Sequence, residues 1–249
     1  MQLPARRVAL SFLAHPDDAE ILCGGTLVRL ADAGWEIHIA TATPGDKGTV
    51  SLTADEISCI RREEARAAAR AIGAAYHCLE ERDVNVVFDR QANQKTIDLF
   101  RQIAPTLVFT HPRLDYMLDH EQVHLLARSA CFSYAIPNAS TLPIVAGSCV
   151  PWLYYCDPIE GRDPYTGADA RVSTLIDITE QMPRKVEMLA CHASQRDWLR
   201  SHHGMDEYID AMQRHSASRG SQAGTRFAEA FSQHRGHPFP QEDLLRELL

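Results

Sequence analysis

The sequence has too little positive charge for a nucleic-acid-binding protein. It carries 25 Lys and Arg residues against 33 Asp and Glu residues, a formal net charge of −8 at pH 7. Nucleic acid and anionic membrane surfaces repel a chain with this excess of negative charge. The sequence also lacks an apolar run long enough to cross a bilayer and a basic stretch followed by an apolar one at its start. We therefore expect neither nucleic acid nor a membrane among its partners.

Paired cysteine motifs are absent as well. The seven cysteines are odd in number and scattered, and no two of them form a C-x-x-C motif. Their positions are Cys23, Cys59, Cys78, Cys131, Cys149, Cys156 and Cys191. Cysteines in apolar stretches behave as small buried hydrophobic residues in a reducing compartment. We therefore expect a cytoplasmic protein without a cysteine zinc site.

The sequence has no G-x-G-x-x-G fingerprint, no internal repeat and no low-complexity tract. Carboxylates stand where the pyrophosphate of a dinucleotide would lie, which argues against a nucleotide cofactor. The 249 residues, of which 45% are hydrophobic and 23% charged, suit one globular domain. We predict a single domain over residues 1–249, with loop insertions at 133–147 and 157–171, where Pro, Ala, Ser, Gly and Asp accumulate.

The most informative stretch is A-H-P-D-D-A-E at residues 14–20. A strand-like apolar run at 8–13 precedes it, and apolar residues at helical spacing follow it. One imidazole and two carboxylates thus lie at the carboxyl end of a strand, where open parallel sheets bind ligands. His15 and Asp18 suit a metal such as zinc, and Asp17 remains free as a base. Helix capping is the alternative interpretation, but a cap needs one Asp and no His.

A second polar stretch repeats this arrangement. Residues 106–110 are typical of a buried parallel strand, and His111 follows them directly. Two such strand ends side by side can supply three ligands and leave the fourth position of zinc open for water. His120 and His124 are one helical turn apart, so either can supply the third ligand by spacing alone. We interpret His111 as a loop histidine.

Strand-like and helix-like stretches alternate along the rest of the chain. Strands are expected at 35–41, 74–79, 152–156 and 172–178, and helices at 53–72, 90–103 and 179–190. Thr53 and Glu56 form the capping box that opens the first of these helices. No hairpin turn separates the first strands, which implies right-handed parallel crossovers. The predicted fold class is α/β, a mostly parallel sheet flanked by helices.

Residues 14–20 resemble the A-H-P-D-D-x-E signature of the PIG-L/LmbE-like N-acetylglucosaminyl deacetylases. The resemblance implies a Rossmann-like fold, one zinc ion per chain and the removal of acetyl groups from amino sugars. The family writes the second motif D-Y-H-P-D-H, and its last His is a zinc ligand. Here residues 115–120 read D-Y-M-L-D-H, so His120 matches the ligand. Met117 replaces the other His, which is thought to act as an acid or to stabilise the oxyanion.

The resemblance implies a set of site residues. The zinc ligands are His15, Asp18 and His120, with His124 as the rival third ligand. Asp17 is the catalytic base, and His192, in a stretch similar to the family's H-x-S-Q, assists at the oxyanion or the leaving group. The substrate-binding candidates are Arg61, Tyr116 and Asp83, the last because it lies just beyond the carboxyl end of the strand at 74–79 and not because of the resemblance. Arg61 and Glu64 match the family's R-x-x-E, although by themselves they would be read as a surface ion pair.

We therefore predict a zinc-dependent hydrolase that removes the acetyl group from an N-acetylated amino sugar or its conjugate. Zinc would lower the pKa of a water molecule and polarise the amide carbonyl while Asp17 accepts the proton of the water. Two alternatives stay open: a zinc amidase for a different amide conjugate, and a catalytically silent sugar-binding protein, since Met117 cannot donate a proton. The expected partner is a small N-acetyl sugar, and the sequence leaves open whether the chain also forms a homo-oligomer.

Overall fold

A seven-stranded sheet forms the centre of the computed structural model, which describes residues 4–196 and 208–249. The strands are β1 (Val8–Leu13), β2 (Glu36–Thr41), β3 (Ala75–Cys78), β4 (Leu107–Thr110), β5 (Trp152–Cys156), β6 (Thr174–Asp177) and β7 (Ala228–Gln233). They lie in the order β3-β2-β1-β4-β5-β7-β6. The first five are parallel, and β7 runs antiparallel to both β5 and β6. The α/β fold with a mostly parallel sheet is thereby confirmed.

Helices cover both faces of this sheet. They are α1 (Asp18–Leu22), α2 (Gly24–Asp32), α3 (Ala54–Arg70), α4 (Arg90–Ile103), α5 (Leu118–Ser133), α6 (Met182–Ala190), α7 (Tyr208–Ala223) and α8 (Leu244–Leu248). Side chains of a strand alternate between its faces, so Leu10 and Phe12 pack with α4 and α5. Ala9 and Leu13 point the other way and pack with the remaining helices. No helix among the described residues is long and apolar enough to cross a membrane.

The helix after the first motif is interrupted between α1 and α2, although apolar residues recur at helical spacing through both segments. The carboxylate of Glu229 accepts hydrogen bonds from the backbone N–H groups of Gly25 and Thr26, at 2.8 and 2.7 Å. A negative charge stabilises a helix N-terminus, so α2 begins anew at this point. Gly25 is needed there because a Cβ would lie 2.8 Å from Ile178. The short α1 is what presents the first polar motif.

The sheet has a topological switch point between β1 and β4. From β1 the chain moves outward to β2 and β3, and β4 then starts the other half of the sheet. Adjacent loops leave the carboxyl ends of these two strands in opposite directions and open a crevice. Both polar motifs, at 14–20 and 111–124, follow these two strand ends. The fold thus brings them together at one edge of the sheet.

The stretches predicted as loop insertions contain little regular structure. The first, 133–147, includes the 3-10 turn Pro137–Ala139, and buried Arg101 donates to carbonyl oxygens along it, among them Tyr134 and Leu142. The second, 157–171, includes the 3-10 turn Ile159–Gly161 and an isolated bridge between Arg162 and Asp169. Whether they are insertions relative to other proteins stays a prediction.

Candidate metal centre

The turn after β1 aims two side chains of the first motif at one point. Asp17 has a left-handed backbone, with φ of 102°, and its carbonyl oxygen accepts the N–H of Ile21 at the start of α1. The carboxylate of Asp18 bends back and accepts the backbone N–H of His15 at 2.8 Å. This short contact places the His15 and Asp18 side chains next to each other at the end of the strand.

The second motif supplies a third side chain to the same point. The Nε2 atom of His120 lies 3.3 Å from Nδ1 of His15 and 3.7 Å from Oδ2 of Asp18. The third edge of this triangle, from Nδ1 of His15 to Oδ2 of Asp18, measures 3.4 Å. A tetrahedral zinc with bonds of about 2.0–2.1 Å separates its ligand atoms by about 3.3–3.4 Å. The three buried side chains therefore fit a small four-coordinate cation.

Each histidine of this triangle has a carboxylate on its far nitrogen. Nε2 of His15 lies 3.1 Å from Oδ2 of Asp119, and Nδ1 of His120 lies 2.9 Å from Oδ1 of Asp115. Such outer carboxylates hold the proton on the far nitrogen and leave the near nitrogen free to bind a metal. The triangle thus has the tautomers that a metal centre requires. The two outer carboxylates are themselves held by backbone N–H groups, among them that of Val84.

His111 lies inside the site rather than in a solvated loop. Its ring is fully buried and stacks on that of His120, with centroids 3.8 Å apart and an interplanar angle of 10°. Its Nε2 accepts the backbone N–H of Ala14 at 2.9 Å and lies 3.2 Å from Oδ2 of Asp18. Burial, together with the nearby His120, lowers the pKa of His111 to about 4. A neutral His111 therefore ties the end of β4 to the end of β1.

His124 turns away from the triangle. Its Nδ1 donates to the carbonyl oxygen of His111 at 3.0 Å, and its ring packs on Tyr155. Its Nε2 is buried, and no residue within 4–196 or 208–249 forms a hydrogen bond with it. Among the described residues, the buried His and Asp clusters that could hold a metal contain His120 and do not contain His124.

Asp17 lies beside the triangle and has two donors. Its Oδ2 accepts the hydroxyl of Tyr208 at 2.7 Å and Nη2 of Arg61 at 3.2 Å. Burial raises the pKa of the Asp17 carboxyl above its usual range, against the opposing effect of Arg61. The candidate base is therefore a partly buried carboxylate with one oxygen already occupied.

Arg61 is buried between the loops that surround the site. Besides Asp17, its guanidinium donates to the carbonyl oxygens of Pro16, at 2.6 Å, and Gly45, at 3.4 Å. A Cβ at Gly45 would lie 2.4 Å from the guanidinium carbon, so only glycine permits this approach. Glu64 turns elsewhere and accepts both the N–H and the hydroxyl of Ser194. Instead of forming a surface ion pair, Arg61 thus binds the loops at Pro16 and Gly45, and Glu64 binds the turn at Ser194.

His192 is buried close to the first motif. Its Nε2 lies 3.5 Å from a carboxylate oxygen of Glu20, and neither ring nitrogen has a hydrogen-bond partner among the described residues. Burial lowers the pKa of His192, but the negative charges of Glu20 and Asp17 outweigh it and the net shift is upward. The turn that carries it is fixed by Gln195, whose side-chain amide donates to Gly48.

The other substrate-binding candidates surround the same crevice. Asp83 is buried, its Oδ2 accepts the N–H of Lys47 at 3.1 Å, and no residue in the described part of the chain donates to its Oδ1. Tyr116 is 63% exposed, and its ring meets that of His120 edge-on at 5.4 Å. Met117 forms the N-cap of α5. All the predicted site residues thus fall within the described part of the chain.

Three residues that contact the site were given no role by the sequence. Asp115 and Asp119 flank His120, and the general need of a metal-bound histidine for a carboxylate partner could have indicated them. Tyr208 had no such signal, because it reaches Asp17 from 191 residues away.

Comparison with known proteins finds similarity to deacetylases and to a hydratase. Residues 10–131 match the family described as PIG-L, GlcNAc-PI de-N-acetylase. The chain is 26% identical over 187 residues to the diacetylchitobiose deacetylase of Thermococcus kodakarensis, and the aligned segment covers 73% of this chain and 67% of that protein. It is 25% identical over 198 residues to the 4-oxalmesaconate hydratase of Pseudomonas putida, and this aligned segment covers 76% of this chain and 74% of that protein.

A solved structure extends the likeness to the fold. The N,N'-diacetylchitobiose deacetylase of Pyrococcus horikoshii superposes with a TM-score of 0.77 and is 26% identical. The superposition covers 96% of this chain and 89% of the other. The similarity therefore continues well beyond residue 131, through the antiparallel end of the sheet.

Proposed function

We propose that this chain, whose residues 10–131 match the PIG-L family of de-N-acetylases, is a metal-dependent N-deacetylase of an N-acetylated amino sugar or its conjugate. The observation that carries the proposal is the triangle of His15, Asp18 and His120 with the carboxylate of Asp17, which is not part of the triangle, beside it. A metal site and a separate base are the two parts that amide hydrolysis by water needs.

We infer that the metal is zinc. Two imidazole nitrogens and one carboxylate oxygen are the donor set of many catalytic zinc sites, which keep a fourth position for water. The triangle edges of 3.3, 3.4 and 3.7 Å agree with that size of ion. When bound, zinc supplies a Lewis acid that lowers the pKa of water and polarises a carbonyl group.

The residues of the chain supply the proton transfers. Asp17 accepts the proton of the attacking water, and the same proton passes to the departing nitrogen, so that acetate and a free amine are released. His192, with a raised pKa, assists at the oxyanion or the leaving group. Asp83 has a buried carboxylate oxygen without a donor, which suits a sugar hydroxyl. Arg61 and Tyr116 complete the proposed substrate contacts.

The test is an assay of the zinc-loaded protein with a series of N-acetylated sugars and conjugates. Release of free amine and acetate in equal amounts, and its loss after chelation, is the expected result. Release of an amine from other amides, with no reaction of N-acetyl sugars, would indicate the alternative amidase. Saturable sugar binding without turnover at full zinc occupancy would indicate a silent binding protein.

A hydratase is a second candidate, and Met117 is the observation that favours it. The thioether carries no proton, so it cannot protonate a departing amine as the family's His is thought to do. Hydration of a double bond releases no amine and therefore does not need that acid. The similarity to 4-oxalmesaconate hydratase points in the same direction. Loss of the ultraviolet absorbance of an unsaturated carboxylic acid, with no amine release from any amide, would identify this activity.

We also propose a cytoplasmic location. All seven cysteines are described, and all are free thiols, which agrees with a reducing compartment. A homo-oligomeric assembly stays a prediction.

A further inference from the structure

A tyrosine from the far end of the chain donates to the candidate base. The hydroxyl of Tyr208 lies 2.7 Å from Oδ2 of Asp17, and the ring is buried in the core on that face of the sheet. Tyr208 is the first residue of α7 and lies outside the segment 10–131 that matches the family. No motif of the sequence points to it.

Both donors of Asp17 occupy the same oxygen. Arg61, from α3, approaches Oδ2 at 3.2 Å from one side, and Tyr208, from α7, approaches it at 2.7 Å. No described residue donates to Oδ1. A carboxylate turns readily about its last torsion, which is broad, so its plane is set by its hydrogen bonds. Two donors on Oδ2 therefore fix the plane and leave Oδ1 as the oxygen open to a proton.

The hydroxyl of Tyr208 is always the donor in its hydrogen bond with Asp17. Burial raises the pKa of Tyr208 well above its usual range, so the phenol keeps its proton at every working pH. A hydrogen bond to a charged acceptor in a buried site is short and about twice as strong as a neutral one.

Helix α7 does not need this bond in order to dock. Arg219, near the opposite end of the helix from Tyr208, forms a bidentate buried ion pair with Asp157, with distances of 2.6 and 2.8 Å. The hydroxyl of Ser216 lies 3.4 Å from the ammonium group of buried Lys185. These contacts hold the helix independently of the phenol hydroxyl, which makes its bond to Asp17 a separate contact.

We propose that Tyr208 is a positioning residue for Asp17. Its hydroxyl, with Arg61, holds Oδ2 of that carboxylate so that Oδ1 receives the proton of the attacking water. The inference rests on the proposed function, in which Asp17 is the base. It makes a residue of the carboxyl-terminal part of the chain necessary for a reaction whose motifs all lie elsewhere.

The experiment is a double-mutant cycle in turnover between Tyr208→Phe and Asp17→Asn. Removing one hydrogen bond to a charged group should lower kcat by about 10- to 100-fold, with KM and zinc content unchanged. A residue that acts only through Asp17 has nothing to position in its absence. We therefore expect the double variant to match Asp17→Asn within about twofold, a readout that a merely structural role would not produce.

Tyr154→Phe is the matched control. The hydroxyl of Tyr154 also lies within hydrogen-bond distance of an aspartate, 2.9 Å from Oδ1 of Asp243, but that carboxylate has no place in the reaction. Its kcat should stay near wild type. Losses that multiply in the double variant, or a Tyr208→Phe enzyme with wild-type kcat, would overturn the positioning role while the deacetylase stands. A wild-type protein inactive towards every amide would instead remove the proposed function and, with it, the task of Tyr208.

Discussion

Oδ2 of Asp119 lies 3.1 Å from Nε2 of His15, across 104 residues of sequence. The same carboxylate accepts the N–H groups of Val84 and Val86, at 2.6 and 3.2 Å. Val84 is a β-branched residue with φ of 59°, a backbone conformation that such residues rarely adopt. One carboxylate thus orients a predicted metal ligand and holds a strained loop beside it.

Asp119→Asn should weaken zinc binding. The amide cannot accept the His15 proton as strongly as the carboxylate, and loss of such an outer partner typically costs 10- to 100-fold in metal affinity. Competition with a chromophoric chelator measures the affinity directly. Asp32→Asn, at an exposed ion pair with Arg184, is the matched control and should bind zinc as the wild type does. Equal affinities in the two variants would contradict the role of Asp119.

His120→Ala and His124→Ala should differ sharply in metal content. His120 contributes a nitrogen to the triangle, whereas Nδ1 of His124 is bonded to a backbone carbonyl. Metal analysis of the purified variants should find His120→Ala largely stripped and His124→Ala near one zinc ion per chain. The opposite pattern would move the site one helical turn along α5.

Asp17→Asn should bind zinc and substrate normally and lose turnover. The amide cannot accept a proton from water, and a positioned general base contributes about 10²- to 10⁴-fold. The measurement is kcat together with zinc content and the dissociation constant of the sugar. Near-normal turnover would remove Asp17 from the mechanism.

Met117→His should raise amide hydrolysis. It restores the proton-bearing side chain that the family carries at this position, and we expect kcat to rise about tenfold or more. Met117→Gln, which adds polarity without an ionisable group, serves as the control and should give no gain. An unchanged rate in both variants would mean that protonation of the departing amine does not limit the reaction, and would favour the hydratase.

Lys185→Met should destabilise the protein far more than Arg184→Met next to it. Lys185 is fully buried and pairs with Glu229, which also holds the start of α2. Removing one partner of a buried pair costs about 3–5 kcal/mol, because it leaves the other charge uncompensated. Exposed pairs such as Arg184 with Asp32 contribute about 0–1 kcal/mol. Urea unfolding measures both, and equal free energies of unfolding would contradict the assignment.

Local patterns in the sequence predicted much of the framework. The capping box of Thr53 and Glu56 opens α3 as expected, since both partners lie within one turn of helix. The helix predicted at 90–103 and the strand predicted at 152–156 have those bounds in the structure. The apolar run at 8–13 placed His15 and Asp18 at a strand end. Their spacing of three residues lets the side chain of Asp18 bend back to His15.

The elements that the sequence did not reveal depend on distant partners. Strand β7 was not predicted, and it pairs antiparallel with β5 and β6, which lie more than 50 residues earlier. The break between α1 and α2 is caused by Glu229, about 200 residues away. Apolar periodicity reports burial within one segment and contains no information about which carboxylate will reach a helix start.

The sequence by itself determined the residue types of the site and the order of the strands and helices as far as residue 190. Only the tertiary structure decided how those residues meet: it brought His120 to His15, placed Asp119 behind His15, and brought Tyr208 to Asp17. The physical reason is that hydrogen bonds and metal-ligand geometry act over about 3 Å. Residues 104, 105 and 191 positions apart reach that distance only after the sheet and its covering helices have packed.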